Sequence, residues 1–482
     1  MIVSINWQVR GLLRWLTIGL CVVGIGWYYG EHGCSVAWEG QTQQMFRLGA
    51  ELRTDKYDST QVFEPVDALY GEVHLPAVVS LRHYAPQCRH QGQQASSVGW
   101  AVSYAARTIL EAHMYGTDPN RLAFSPSFLY NQLAQGKCRA VALRDALRLL
   151  QYAGDLPMAE FGYDERTCSI QPDSAQLRLA RAYRVETFSR LTRDADQYEP
   201  DLLAVKQHIA QGIPVVIGMR VGGSFIYQMR GQALWKPTQS DYHLRDFAGH
   251  AMCVIGYDDR RYGGAFLIMN SWGRDWGDEG YTWVRYEDFR FFVEEAYALY
   301  PLVAEPQLDV QFGLLDVAAQ QLIELERVET NEAYFRPHHS VGAGRKLKVL
   351  CTNRVACYVY VLGENRQGEA YVLFPYSAQY NPYLGISGTR LFPRHYSLEI
   401  ERGNDSTHIA VLLSDEPIDV WRLASLINTA GRWSFRQNIA LVLGAAQAAQ
   451  VHLADERNMI VLRAYPTKTL HVAWAVLEIV RS

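Results

Sequence analysis

The sequence predicts an α+β protein in which a two-lobed domain with a central cleft is followed by a smaller β-rich, sandwich-like domain. Helical periodicity prevails in residues 97–152, short strand-like runs separated by Gly and Asp turns prevail in residues 215–286, and strand-like runs return after residue 303. Helices early and strands late are typical of an α+β domain. A chain of 482 residues also exceeds the usual size of one domain, so two or three domains are expected.

Three helices are predicted in the first lobe. Residues 97–114 repeat apolar side chains at helical spacing. A serine followed by a proline at 125–126 is a helix-start signal, since serine caps the first turn and proline fits its first position. The third helix is predicted over residues 143–152 and ends near Gly154.

The predicted strands are short, apolar or alternating, and bounded by turn residues. In the second lobe they cover 215–219, 251–256, 266–270 and 281–286. In the C-terminal region they cover 347–351, 358–362, 370–374 and 408–414, with a late helix at 434–451 and closing strands at 459–464 and 471–479. The predicted boundaries are a two-lobed domain at 62–302, a linker at 303–330 and a β-rich accessory domain at 331–482.

The N-terminus has the pattern of an export signal. Arg10 and Arg14 precede an apolar run of about 15 residues, from Trp15 to Tyr29, and no acidic residue occurs before Glu31. A positive flank followed by an apolar run is typical of a secretory signal or a signal anchor. We therefore expect a cleaved signal or a retained apolar anchor helix over residues 1–36, a connector over 37–61, and a location in the periplasm or cell envelope. A buried helix of a cytosolic protein is the alternative.

Composition excludes some functions and suggests two cross-links. The chain has 46 Lys and Arg residues against 50 Asp and Glu residues, which gives a net charge of −4, so no basic field favours nucleic acid. No metal or cofactor motif is identified.

The chain has eight cysteines, and two pairs of them are candidate disulfides. Cys351 and Cys357 flank a predicted hairpin turn, where a bridge could form, and Cys138 and Cys168 bracket a helical segment. Cys253 lies in an apolar strand and is predicted to be a buried free thiol.

The most specific motif is a twelve-residue string that begins Asn270-Ser-Trp272-Gly and ends Gly-Tyr281. His250, in Gly249-His250-Ala, lies twenty residues before its Asn. An imidazole that acts as a general base needs a fixed tautomer, and an amide oxygen that accepts its N–H supplies one. His250 and Asn270 are therefore candidate site residues.

These motifs resemble the papain-like (C1) cysteine peptidases. The resemblance implies that His250 is the general base, that Asn270 orients it, and that Trp272 shields the pair, with Gly249 beside the cleft. It also implies that Gln91 contributes to an oxyanion hole, and that peptide or protein binds in the cleft between the lobes.

At the nucleophile position the sequence departs from the family. The segment reads Gln91-Gly-Gln-Gln-Ala-Ser-Ser97-Val-Gly-Trp100, so that Ser97 stands six residues after Gln91, where the family has cysteine, and alanine at 95 replaces an expected glycine. Read in this register, Ser97-Val-Gly-Trp100-Ala also resembles the motif of a bacterial branch of the family, and Trp100 is a candidate binding residue. A second register, aligned on Trp100, would place Gly99 at the nucleophile position instead. Neither register contains a thiol.

Oxygen in place of sulfur changes the chemistry. A helix N-terminus and a nearby imidazolium lower the pKa of a catalytic thiol to about 3–4, but an alcohol is far more basic and is not ionised at neutral pH. The favoured hypothesis is therefore an exported pseudo-peptidase that binds peptide or protein with little or no proteolysis. The alternatives are an active hydrolase that uses Ser97, His250 and Asn270 by concerted proton transfer, and a structural component of a cell-envelope assembly.

The C-terminal region resembles a bacterial domain of unknown function that accompanies papain-like and caspase-like peptidases. The resemblance is carried by the strand-like motifs in residues 335–417 and implies a β-sandwich-like accessory module without chemistry of its own. Tyr376, Tyr380 and Tyr383 are interpreted as loop anchors, with a binding loop as the alternative.

Overall fold

The structure is a computed structural model that describes residues 46–67, 75–303, 307–328, 333–402, 406–431, 434–444, 450–454, 458–464 and 472–481. The expected N-terminal signal or anchor helix lies outside these residues. Within them, every helix is too short or too polar to cross a lipid bilayer.

The first lobe is helical, as predicted. The short helix α1 (Thr54–Asp58) precedes this lobe, whose own helices are α2 (the consecutive segments Ser97–Gly99, Trp100–Arg107 and Thr108–Tyr115), α3 (Pro126–Ala134), α4 (Leu143–Ala153) and α5 (Ser174–Ala180). The middle segment of α2 is a π-helix. Gly116 and Gly154 follow α2 and α4 with φ of 64° and 85°, a backbone conformation that glycine adopts without strain and that stops a helix.

The second lobe is an antiparallel sheet. Its strands are β1 (Val78–Ser80), β2 (Val185–Arg190), β3 (Val215–Val221), β4 (Ala248–Asp258), β5 (Ala265–Met269), β6 (Tyr281–Arg285) and β7 (Val293–Pro301). They lie in the order β2-β7-β3-β4-β5-β6, and β1 pairs with β4. The short helices α6 (Leu202–Ala210), α7 (Gly223–Tyr227) and α8 (Tyr286–Phe292) connect them. The four strands that the sequence predicts here are confirmed, each within a few residues, and the observed architecture is α+β.

The C-terminal region is a β-sandwich. Its strands are β8 (Leu308–Asp316), β9 (Gln321–Leu322), β10 (Leu325–Arg327), β11 (Tyr334–Pro337), β12 (Lys346–Asn353), β13 (Cys357–Glu364), β14 (Ala370–Phe374), β15 (Tyr383–Leu384), β16 (Gly388–Phe392), β17 (Leu398–Glu399), β18 (Ser406–Ser414), β19 (Gln450–Leu453), β20 (Ile460–Ala464) and β21 (Val472–Val480). One sheet has the order β10-β11-β21-β18-β13-β14, with β15 paired to β13. The other has the order β16-β12-β8-β20-β19, with β9 paired to β8 and β17 paired to β12. Strands β8 to β10 lie where the sequence suggested a linker. Inward side chains such as Phe312, Val349, Val361 and Leu477 form one apolar core between the sheets.

The late helix predicted at 434–451 is wrong in its length. The late helix stops at Leu443, because Gly444 takes φ 82°, and residues 450–453 form β19 instead. Helix α10 is therefore Phe435–Leu443, and it follows a helix that the sequence did not reveal, α9 (Val420–Thr429).

The bridge expected between Cys351 and Cys357 is also absent. Both cysteines are free and buried. They lie on β12 and β13, which belong to different sheets and do not pair with each other, so the expected hairpin does not exist. Cys138 and Cys168 do form a disulfide, with Cα atoms 5.5 Å apart, and Cys253 is free and buried, as predicted.

Candidate active site

Ser97 lies at the start of α2, against the strand that carries His250. The backbone N–H of Ala251, the residue after His250 on β4, donates to Ser97 Oγ at 3.2 Å. Gly99, the nucleophile position in the second register, packs instead against the backbone carbonyl of Pro126 at the start of α3. Ser97 is thus the residue that faces β4 from the helical lobe, and its side chain is fully buried.

His250 is held in one tautomer by Asn270. The Nε2 atom of His250 lies 2.8 Å from Asn270 Oδ1, which also accepts the backbone N–H of Ser271 at 2.7 Å. Because an amide oxygen only accepts, Nε2 carries the proton, and Nδ1 of the neutral ring is left as an acceptor. The Trp272 ring covers the imidazole, with ring centroids 4.4 Å apart. The structure thus brings His250, Asn270 and Trp272 together.

Burial keeps His250 neutral. Its side chain is 0% exposed, and this burial lowers the pKa of the imidazole to about 4, against a smaller opposing effect of the Asn270 hydrogen bond. At neutral pH the ring is therefore an uncharged base. It offers no imidazolium that could stabilise an ionised Ser97.

Ser97 and His250 are neighbours that do not form a hydrogen bond. Among the described residues, no side chain or backbone group bonds to His250 Nδ1, the atom that would have to take the Ser97 proton. Nor does a thiol replace the serine: Cys253 lies three positions along β4, so its side chain points to the opposite face of the strand. Cys88 packs against Gly280, and burial raises its pKa to about 12.

Gln91, six residues before Ser97 in the sequence, is held by Ser271 and Gln94. Its side-chain oxygen accepts the Ser271 hydroxyl at 2.6 Å, and its Nε2 donates to the backbone oxygen of Gln94 at 2.9 Å. Its backbone N–H bonds to the Ser271 carbonyl at 2.8 Å, so the two lobes are tied together here. Trp100, by contrast, is 3% exposed and packs on Tyr104 inside the helical lobe, which gives it a structural role.

The chain itself fills the cleft between the lobes. The backbone N–H of Ala50 donates to the carbonyl of Gly249 at 3.1 Å, next to His250 on β4. On the opposite wall, Glu51 N–H donates to the Val141 carbonyl at 2.9 Å, and Val141 N–H donates to the Gly49 carbonyl at 3.3 Å. Residues 48–53, the cleft segment, thus run between the two walls and bond to both.

Two glycines let the cleft segment approach this closely. A Cβ atom on Gly49 would lie 2.9 Å from the backbone nitrogen of Ser97, and one on Gly249 would collide with the carbonyl oxygen of Ala50. Leu52 sits in an apolar recess, where a Cβ on Gly218 would lie 2.5 Å from its methyl carbon. The cleft segment therefore covers the position that a reacting carbonyl would need.

Glu295 holds the far end of the cleft segment. Its Oε1 accepts the backbone N–H of Arg53 at 2.9 Å, and burial raises the pKa of this carboxyl to about 7. Sequence reasoning missed Glu295, Val141 and the cleft segment. The available signals were a carboxylate within the apolar strand β7 and a Gly-Ala pair in the supposed connector.

The described residues hold no cluster of three or more His, Cys, Asp or Glu side chains that could bind a metal ion. The polar side chains that the structure gathers around this site are those of Ser97, His250, Asn270 and Gln91.

Several known proteins are similar to about half of this chain. Curated relatives include an uncharacterized peptidase C1-like protein of Acanthamoeba polyphaga mimivirus, 24% identical over 51% of this chain and 75% of that protein, and mouse cathepsin K, 26% identical over 45% of this chain and 62% of that protein. Among solved structures, xylellain, a cysteine protease from Xylella fastidiosa, is 20% identical over 56% of this chain and all of its own, with a TM-score of 0.44.

Two family descriptions match the sequence in order. "Papain family cysteine protease" matches residues 75–300, and "Domain of unknown function (DUF4384)" matches residues 340–417. The first covers the helical lobe and the antiparallel sheet, and the second lies within the β-sandwich. The chain thus carries a papain-family C1 peptidase domain followed by a DUF4384 domain.

Proposed function

We propose that this chain is a papain-fold pseudo-peptidase, which binds peptide or protein in its cleft with little or no proteolysis. The observation that carries the proposal is the serine oxygen at position 97, which makes no hydrogen bond to His250. A neutral imidazole beside an alcohol cannot form the thiolate–imidazolium pair on which the family's chemistry depends. Ligand enters only when the cleft segment leaves, because Gly49 and Ala50 occupy its place.

Peptide hydrolysis tests the non-catalytic part of the proposal. The purified protein and its His250→Ala variant are incubated with a peptide library, and new termini are counted by mass spectrometry. We expect no cleavage that depends on His250. Turnover that disappears in the variant would establish the second candidate function, a serine hydrolase, which the His250–Asn270 hydrogen bond favours.

Peptide binding tests the other part. Gly49→Ala places a methyl group on the cleft segment itself, 2.5 Å from the carbonyl group of Ala95, and should expel the segment without altering the cleft walls, whereas Gly162→Ala meets nothing within 4 Å and is the matched control. We expect the Gly49→Ala variant to bind library peptides more tightly than the control, measured by fluorescence anisotropy. An opened cleft that binds no peptide would instead favour a structural component of an envelope assembly, a role that the filled cleft also supports.

The proposed location is outside the cytoplasm, in the periplasm or cell envelope. The apolar run at residues 15–29 and the Cys138–Cys168 disulfide support it, because disulfides persist mainly in oxidising compartments. A membrane tether follows if the apolar run is retained. Fractionation of cells that express the full chain, with N-terminal sequencing of the mature protein, checks both points; an unprocessed protein in the cytosol would refute them.

A further inference from the structure

The residues that follow the cleft segment lie between the peptidase domain and the β-sandwich. On the peptidase side, Phe63 N–H donates to the Arg190 carbonyl at 3.1 Å, and Arg190 N–H donates to the Gln61 carbonyl at 3.0 Å. The side chain of Gln207 donates to the Val66 carbonyl at 3.2 Å. We call residues 59–67 the strap. It lies along β2 like an added strand.

On the other side, the strap bonds to the β-sandwich. Val62 N–H donates to the Gln379 carbonyl at 2.7 Å, and Asn381 N–H donates to the Val62 carbonyl at 2.9 Å. Asp67 N–H donates to the Thr389 carbonyl at 2.8 Å. Val62 is 0% exposed, so the strap is enclosed by the two domains and cannot leave while they remain in contact.

The strap carries a buried carboxylate that faces cations of the β-sandwich. Glu64 is 1% exposed, and its Oε1 accepts the hydroxyl of Tyr376 at 3.2 Å. Its backbone carbonyl accepts from Arg390 Nε at 3.1 Å, and Arg394 lies 3.7 Å from its other carboxylate oxygen. A cavity of about 830 Å³ adjoins these groups, so the contact between the domains is polar and incompletely packed on this side.

A loop of the peptidase domain extends this contact to α1. Asp194 accepts hydrogen bonds from Tyr380 and Arg394 of the β-sandwich, both at 2.8 Å. Four residues further on, the Tyr198 hydroxyl donates to Asp58 on α1 at 3.2 Å. The β-sandwich thereby holds the loop that holds α1.

Helix α1 joins the strap to the cleft segment. It has only five residues, so it spans about 7–8 Å, and movement of one end is passed to the other. Tyr57 of α1 is buried under the Arg190 guanidinium, 5.3 Å from its ring centroid, and Arg190 also donates to the carbonyl of Ala195 in the Asp194 loop. The contacts are therefore continuous from the β-sandwich to the cleft.

We propose that the C-terminal β-sandwich is the lock of the peptidase cleft: it keeps the cleft segment in place through the strap and the Asp194 loop, and separation of the two domains opens the cleft. This regulation rests on the proposed function, because a cleft that takes no ligand needs no lock. A partner that binds the β-sandwich in competition with residues 376–395 would switch the cleft without touching it.

The test measures the exposure of position 97 in the full chain. Ser97→Cys supplies a thiol that iodoacetamide alkylates only when the cleft segment has left, and peptide mass spectrometry gives its rate. The lock variant is Asp194→Asn, which removes the charge that Arg394 and Tyr380 bind. Its matched control is Asp309→Asn, because Asp309 pairs with Arg463 within the β-sandwich at 2.9 Å and is 16% exposed, against 20% for Asp194.

We expect the thiol introduced at position 97 to be alkylated about tenfold faster in the Asp194→Asn variant than in the control, which corresponds to about 1.4 kcal/mol of lost contact. Gly49→Ala in the same background opens the cleft directly. Equal rates in the lock variant and control, with fast alkylation in Gly49→Ala, would overturn the lock and leave the proposed function standing. Fast alkylation in both opened variants without peptide binding would refute the proposed function and support the lock.

General unfolding is recognised separately. Cys88, Cys253, Cys351 and Cys357 are buried and free, so their alkylation reports loss of the fold. If Asp194→Asn exposes them, Tyr380→Phe replaces it, since it removes one hydrogen bond and keeps the ring. Slow alkylation at position 97 in a folded Tyr380→Phe protein, equal to that of the control, would then overturn the lock.

Discussion

Because His250 is buried, we predict that the stability of the folded protein depends on pH through this side chain. The folded ring has a pKa of about 4, because it is enclosed by the two lobes and the cleft segment, whereas the ordinary value is 6.5. The unfolded chain therefore binds a proton between pH 6.5 and 4 that the folded protein does not. Stability from this group is complete above pH 6.5 and is lost as the pH falls toward 4.

The magnitude follows from the two pKa values. The difference of about 2.5 between the folded and unfolded pKa values of His250 corresponds to about 3 kcal/mol of unfolding free energy. About 2 kcal/mol of this is lost between pH 7 and pH 5. Three buried carboxyls oppose it: Glu64, Asp155 and Glu295 have pKa values raised by burial to about 7, so their protonation stabilises the folded state over the same range. The effect of His250 must therefore be measured as a difference between proteins.

The perturbation is His250→Gln, which removes the titrating group and keeps a polar side chain. Thermal unfolding of wild type and variant is compared at pH 7 and pH 5, with His452→Gln, at an exposed position on β19, as the control for the type of substitution. We expect the variant to gain about 2 kcal/mol relative to wild type on going to pH 5, which shifts the difference in Tm by several degrees. Parallel pH profiles would refute the reasoning and show that the ring is solvated in solution.

Two further predictions concern the cross-link and the buried cation. The Cys138–Cys168 disulfide closes a loop of 30 residues, so its reduction should lower the free energy of unfolding by about 4 kcal/mol. Dithiothreitol should therefore lower the Tm of wild type but not that of a Cys138→Ala/Cys168→Ala protein. An equal effect of dithiothreitol on the Tm of both proteins would contradict this. Arg390 is 0% exposed and donates hydrogen bonds to Asn353 Oδ1 at 2.6 Å and to the backbone carbonyl of Glu64. Arg390→Met leaves these acceptors without a donor, so it should destabilise the β-sandwich by about 3 kcal/mol, measured by urea unfolding. An unchanged urea midpoint would show that Arg390 does not stabilise the β-sandwich.

The strands and helices that the sequence predicted correctly are those with a strong local signal. The segments that form β3 to β6 are either continuously apolar or alternate apolar and polar residues, and glycines lie near their ends. Helix α4 ends at Gly154, which has a positive φ. The late helix was drawn too long because the residues around Gly444 have good helix propensity, although the glycine ends it. The predicted disulfide between Cys351 and Cys357 is wrong because the consecutive strands β12 and β13 belong to different sheets. A local sequence pattern does not show which sheet a strand joins.

The sequence by itself determined the peptidase fold and the identities of Ser97, His250 and Asn270, because a twelve-residue motif and its spacing are local properties of the chain. Only the tertiary structure decided that the serine oxygen receives the Ala251 N–H while His250 Nδ1 bonds to no described group, and that residues 48–53 fill the cleft. Such contacts join residues that are up to about 200 positions apart. They depend on how the lobes and the β-sandwich pack, and packing leaves no periodic trace in the sequence.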